Sequence, residues 1–257
     1  GGISTEALLC KRVRFENAVG VIGFKPVHQS TAEERKALPS PQSLYIDIGA
    51  EDKEDAERRV SLGDIGTFVN DWKYLGNTAL RTKALDDRIG CALLIHLLKN
   101  EAEYDFYATF TVGEELGLRG AKTAAFAVDP EYAIVLETTT ASDICGAKGT
   151  DAVCCCESGV VVAFMDRSTL YNRALFDFAF KLAEENGIKV QTKQKVAGGN
   201  NAGAISLSKN GVPSITLAQP CRYIHAPSSI TYIKDIKDYY ELSKLLLNKL
   251  AGGEFND

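Results

Sequence analysis

The segment TVGEELGLRG sets Glu114 beside Glu115, with Gly113 before the pair and Gly117 one residue beyond Leu116. Three other junctions carry an acid or an imidazole. Asp86 and Asp87 stand in ALDDRIG before a helical pattern, Glu137 ends the apolar run YAIVLE, and His225 lies in RYIHAP after the run PSITLAQP. A carboxylate that directly ends an apolar run is costly unless it has a partner. Carboxylates and an imidazole brought together are a donor set for zinc, cobalt or manganese. Two such ions about 3.5–4 Å apart share a carboxylate, and a further carboxylate left free of them can take the proton of a bridging water. Adjacent glutamates can then hold different posts. Neighbouring side chains on an extended segment point to opposite sides, so one can bind an ion while the other faces water.

Each residue also has a plainer reading. Asp87 suits an N-cap or first-turn acid of the helix that follows. Glu114 and Glu115 suit a solvated acidic turn, Glu137 a loop cap or the partner of a base, and His225 an ordinary turn. His96 sits among leucines and reads as structural. His28, in KPVH, reads as a surface-loop residue.

The elements that position these residues fall into two groups. Residues 1–77 read as a β-rich, barrel-like module built from KRVRF, GVIGFK, SLYIDIGA and GDIGTFV, interrupted by the helical stretches TAEERKAL and EDKEDAERR. Residues 78–257 alternate between helices and strands. Helix DRIGCALLIHLLKNEAE precedes strand YDFYATFTV, and helix RGAKTAAFAV precedes strand YAIVLET. Helix NRALFDFAFKLAEENG precedes strand KVQTKQ, and NAGAISLSKNG precedes PSITLAQP and the final helix IKDYYELSKLLLNKLA. That alternation predicts an α/β layering with a central mixed, mostly parallel sheet flanked by helices, whose site gathers at the carboxyl ends of strands.

A net charge of −5 argues against nucleic acid or an anionic membrane as the main partner. No apolar stretch approaches the roughly 20 residues that span a bilayer, and the opening GGISTEALLCKRVRF reads as free of a signal peptide. The seven cysteines contain no C-x-x-C pair. They read as reduced thiols of a cytoplasmic protein, with Cys154, Cys155 and Cys156 on a strand, AVCCCE.

The motifs KALDDRIGCALL, FTVGEELGLRGAKTAAF, AIVLETTTASD, AGGNNAG and CRYIHAPSS, in that order, resemble the glutamyl-aminopeptidase and tetrahedral-aminopeptidase family, metallopeptidase family forty-two. GVIGFKPVH and LYIDIGAEDKEDA resemble its inserted domain, so the resemblance spans essentially the whole chain. It implies a zinc-exopeptidase-like fold, release of N-terminal residues from short peptides, and two divalent ions, zinc, cobalt or manganese. Asp86 would bridge the ions, Glu115 and His225 would complete one site, Glu137 would bind the other ion, and Glu114 would be the general base. The Asp86–Asp87 peptide would be cis. Assembly into dimers and hollow dodecamers through the β-rich domain is also implied.

Two departures stand out. None of the three histidines begins an H-x-D motif, which in the family supplies a ligand on the Glu137 side. The start GGISTEALL matches a point after that motif. The expectation is a chain lacking the first strand and helix of the catalytic domain, with one metal site incomplete. In AGGNNAG, Asn201 stands where the family has an acid. These departures favour an alternative, a non-catalytic member that keeps the fold and assembly surfaces. Retention of the five site residues opposes it. An endoglucanase, the older label of some family members, ranks last: it needs two carboxyls across a sugar bond and has no use for a ligating histidine.

Overall fold

The computed structural model describes residues 1–99, 102–147 and 149–255. In chain order the first part holds α1 (Thr5–Leu8), β1 (Arg12–Arg14), β2 (Val19–Gly23), β3 (Tyr45–Asp47), α2 (Lys53–Arg59), β4 (Thr67–Phe68), β5 (Lys73–Leu75) and β6 (Ala79–Thr82). The second part holds α3 (Leu85–Lys99), α4 (Arg119–Val128), β7 (Ala133–Thr140), β8 (Val160–Val162), α5 (Arg173–Glu185), β9 (Val190–Gln191), α6 (Ala202–Ile205), β10 (Ser214–Cys221), β11 (Ser229–Tyr232) and α7 (Ile233–Ala251).

Three sheets result among the described residues. One is antiparallel, in the order β3-β2-β1-β4, and a second runs β11-β6-β5. The third, in the order β7-β10-β8-β9, is the mixed sheet that the alternation of helices and strands predicts. β7 pairs with β10 and β8 with β9 in parallel, while β10 and β8 are antiparallel. Every residue of β10 is buried, as a near-continuous apolar run requires of a central strand. Leu175 and Ala179 of α5 and Tyr239, Leu242 and Leu246 of α7 pack on Val160, Val162, Ile215 and Leu217. Local signals set the helix starts. Asp52 accepts from Asp55 N at 2.8 Å at the head of α2, and Asn172 accepts from Leu175 N at 2.9 Å at the head of α5.

Several local expectations need correction. The run YDFYATFTV forms no ladder with any described residue. Its side chains favour a strand, but a strand exists only where a neighbour pairs its backbone groups. AVCCCE likewise lies in turns before β8. Its burial comes from packing of Cys154 and Cys156 against Ala141, Val161 and Ala218. TAEERKAL yields only a 3₁₀ turn at Glu34–Lys36, and the stretch NAGAISLSKNG is helical only over Ala202–Ile205. Ser206, Ser208 and Asn210 in the latter favour turns over helix continuation. Part of the segment expected to continue α3, Asn100 and Glu101, lies outside the described residues.

Candidate metal centre

The two parallel strands β7 and β10 run in register from Ala133 opposite Ser214 to Thr140 opposite Cys221. Their carboxyl ends deliver Glu137 within β7 and His225 just after β10. The residues after β10 are held by reciprocal backbone bonds between Arg222 and Ile230, at 2.8 and 3.0 Å. Ser229 Oγ also donates to Tyr223 O at 2.9 Å. Tyr223 and His225 both adopt left-handed backbone conformations, φ 61° and 54°. Such a conformation is unfavourable for a side-chain-bearing residue and persists only when its surroundings fix it.

Asp86 and Asp87 enter at the head of α3. Their peptide bond is cis, as the resemblance implied, and neither residue has helical dihedrals. Asp87 Oδ1 accepts from Gly90 N at 3.2 Å and lies 3.1 Å from the Thr138 hydroxyl. Its capping role is therefore present in the structure. Glu114 and Glu115 lie in a 3₁₀ turn, Glu114–Leu116, and not at a strand terminus. Gly113 (φ 68°) and Gly117 (φ 100°) bracket that turn in left-handed conformations that glycine adopts without a Cβ clash. The turn still separates the two carboxylates. Glu115 reaches Asp86 and His225, while Glu114 is half-buried beside them.

Four of the five residues singled out in the sequence supply donor atoms to two groups, and Asp86 belongs to both. Asp86, Glu115 and His225 place one ligand atom each within 4.8 Å of one another. Asp86, Asp87 and Glu137 do the same. His225 Nε2 lies 3.4 Å from Asp86 Oδ2, and His225 Nδ1 donates to the Gly1 carbonyl oxygen. That bond leaves Nε2 directed toward Asp86. The Gly1 nitrogen lies 2.9 Å from Glu115 Oε2. Glu137 is 6% exposed. Its Oε2 accepts from Thr138 N at 3.2 Å, and its carbonyl accepts from Tyr239 Oη at 3.2 Å.

The electrostatics of the cluster ask for cations. Burial raises the Asp86 carboxyl to about 6, against the pull of the His225 ring and with a push from Glu115. Burial and the Asp86 charge raise Asp87. Burial and the charges of Asp87 and Asp86 raise Glu137. Burial and then Glu115 and Asp86 raise Glu114. Carboxylates packed this closely repel one another until a cation neutralises them. The donor types, oxygen plus one imidazole nitrogen, fit a divalent ion of the zinc, cobalt or manganese kind.

The residues border a cleft of about 490 Å³. The cleft is also lined by residues that the sequence reading did not single out as site residues: Lys193, Asn200 and Thr138–Thr140. Asn200 was legible only as part of AGGNNAG. Lys193 gave no signal, because a lysine in an alternating run ordinarily faces solvent.

The chain matches the M42 glutamyl aminopeptidase family over residues 1–242 and belongs to it. It is 35% identical over 244 residues to an Acetivibrio thermocellus protein named provisionally as an aminopeptidase, covering 94% of this chain and 72% of that one. It is 31% identical over 264 residues to a lysyl aminopeptidase of Pyrococcus furiosus, covering 99% and 75%. Among solved structures it resembles a TET aminopeptidase from a marine-sediment Thaumarchaeota archaeon, with a TM-score of 0.93 and 33% identity over 100% of this chain and 76% of that one. It also resembles the Pyrococcus horikoshii TET1 peptidase, described as assembling into a tetrahedron or a large octahedral shell. There the TM-score is 0.79 and the identity 30%, over 98% of this chain and 74% of that one.

Proposed function

We propose that this chain is a metal-dependent aminopeptidase that hydrolyses N-terminal residues from short peptides. The observation that carries this reading is the pair of donor groups sharing Asp86, with Glu114 beside them and outside both groups. Asp86 would hold two divalent ions together, Glu115 and His225 would complete one site, and Glu137 would serve the other. Among the described residues the Glu137 group contains carboxylates alone. When bound, such ions supply Lewis-acid polarisation of a carbonyl oxygen and acidify a water.

The chain's own residues do the rest. The Glu114 carboxylate takes a proton from the attacking water and passes it to the leaving amine. Its raised proton affinity suits a group that must both accept and release a proton near neutral pH. No phenylalanine, tyrosine or tryptophan of the described residues borders the cleft, which disfavours a polysaccharide-cleaving alternative.

We further read residues 1–77 as a barrel-like assembly domain and residues 78–257 as the catalytic domain. The chain would form homo-oligomers, from dimer to dodecamer. Exposed Leu62, Ile65, Trp72 and Tyr74 in the first part support that reading. No helix of the described residues is long and apolar enough to cross a membrane. The free state of all seven cysteines suits the reducing cytoplasm. Release of free amino acid from short peptides with added Zn²⁺ or Co²⁺, and its loss with EDTA, tests the activity. No release under any metal would contradict it.

A further inference from the structure

His225 lies on a short excursion of the chain between β10 and β11. The base of the excursion is closed by the reciprocal Arg222–Ile230 backbone bonds and by Ser229 Oγ on Tyr223 O. Its far side has no such support: among the described residues, 225–228 form no backbone–backbone hydrogen bond. Yet His225 keeps a left-handed backbone, φ 54°, which a side-chain-bearing residue holds only under outside constraint.

That constraint comes from a remote part of the chain. Asn70, in the link between β4 and β5, donates from Nδ2 to Pro227 O at 2.5 Å. Asn70 Oδ1 accepts from Arg81 Nη1 at 2.7 Å, and Arg81 Nη2 donates to Asp71 O at 2.8 Å. Arg81 Nη1 also lies 3.4 Å from Ser228 Oγ. The amide of Asn70 fits only one way round, because its acceptor must face the guanidinium and its donor the carbonyl. Arg81 itself stands on β6, the middle strand of its sheet, opposite Ile230 of β11 on one side and Lys73 of β5 on the other. β6 continues through Lys83 and Ala84 toward Asp86. One guanidinium therefore ties the link that grips the His225 excursion to the strand that delivers Asp86.

We infer that Asn70, braced by Arg81, is a positioning residue that sets the His225 ring against Asp86. The β-rich part of the chain then takes a share in holding an ion, besides any part in assembly. The inference rests on the metal-site reading under Proposed function. Loss of a partner that orients a metal ligand typically lowers metal affinity by about 10–100-fold.

The test titrates Co²⁺ into the metal-free full chain and its variants, read by calorimetry and by the visible absorption of bound Co²⁺. Asn70→Asp keeps an acceptor for Arg81 and removes the donor to Pro227 O. It is expected to weaken Co²⁺ binding about tenfold or more and to leave Tm near that of wild type. In a His225→Ala background the same change is expected to have no further effect on Co²⁺ affinity, because the contact acts through that ring. Unchanged affinity in folded Asn70→Asp overturns the inference, and so does a loss equally large with and without His225. Arg81→Met, which removes the brace, is expected to give the same pattern and decides the matter where Asn70→Asp does not fold. A wild-type chain that binds no Co²⁺ is instead the failure of the metal-site reading. Chymotryptic cleavage after Tyr223 in the metal-free chain then decides the role of Asn70 independently. Faster cleavage in Asn70→Asp supports the inference, and equal rates overturn it.

Discussion

Arg222 places Nε and Nη2 each 2.7 Å from the two carboxylate oxygens of Asp143. This fork joins the segment that follows β10 to the loop that follows β7. Cys156 N adds a third donor to Asp143, at 3.0 Å, and the Arg222 guanidinium lies over the Tyr232 ring, 5.5 Å from its centroid. The strands that deliver Glu137 and His225 are thus locked together beyond their own ladder.

Asp143→Ala leaves that guanidinium, 24% exposed in its side chain, without its partner. The expected loss is about 2–4 kcal/mol in urea denaturation, below the upper range for a fully buried pair because Arg222 retains some water. Retention of metal at His225 should weaken in the same variant. Unchanged stability would show that the fork does not hold the loop.

Glu114 lies outside both donor groups, so its removal should separate chemistry from metal binding. Glu114→Gln is expected to lower kcat by about 10²–10⁴-fold with little change in metal content. Metal loss in parallel with activity would reassign Glu114 as a ligand. Activity near wild type would remove it from the mechanism.

The metal-free chain should lose stability as pH rises. Asp86, raised to about 6, and Asp87 and Glu137, both raised, bind protons more tightly folded than unfolded. Their contribution is fully present below the ordinary carboxylate range near 4 and is lost as pH climbs through 6 and beyond. For Asp86 alone this is on the order of 3 kcal/mol. Thermal unfolding of EDTA-treated protein should therefore give a lower Tm at pH 8 than at pH 5. Zn²⁺ or Co²⁺ should restore it, and Glu137→Gln should flatten the trend. A Tm that rises from pH 5 to 8 without metal would contradict the assigned repulsion.

The sequence made the donors legible and left their routes partly hidden. Asp86 and His225 stand at element junctions that apolar runs reveal, whereas Glu137, expected at a strand end, lies inside β7, which runs on to Thr140. α4 begins and ends where the pattern RGAKTAAFAV does, because periodicity and glycine placement are local properties. The run YDFYATFTV failed as a strand for a non-local reason. Val, Tyr, Phe and Thr favour an extended chain, but pairing depends on a neighbour that the run itself cannot name.

Burial of polar side chains was equally hidden. Lys193 and the network of Asp166, Tyr171 and Asn200 depend on how β9, the loop before α6 and β10 fold together. The free cysteines show the same limit. Cys154 and Cys156 are buried, and they lie in turns rather than on the expected strand.

Asp86 is the one residue common to both donor groups, and elemental analysis of dialysed protein tests that position most directly. The account predicts a tightly held divalent ion in the wild-type chain, retention reduced by His225→Ala at one site only, and loss of nearly all bound metal in Asp86→Ala. A wild-type chain that emerges free of metal after incubation with Zn²⁺, Co²⁺ or Mn²⁺, or an Asp86→Ala variant that retains as much as wild type, would contradict it.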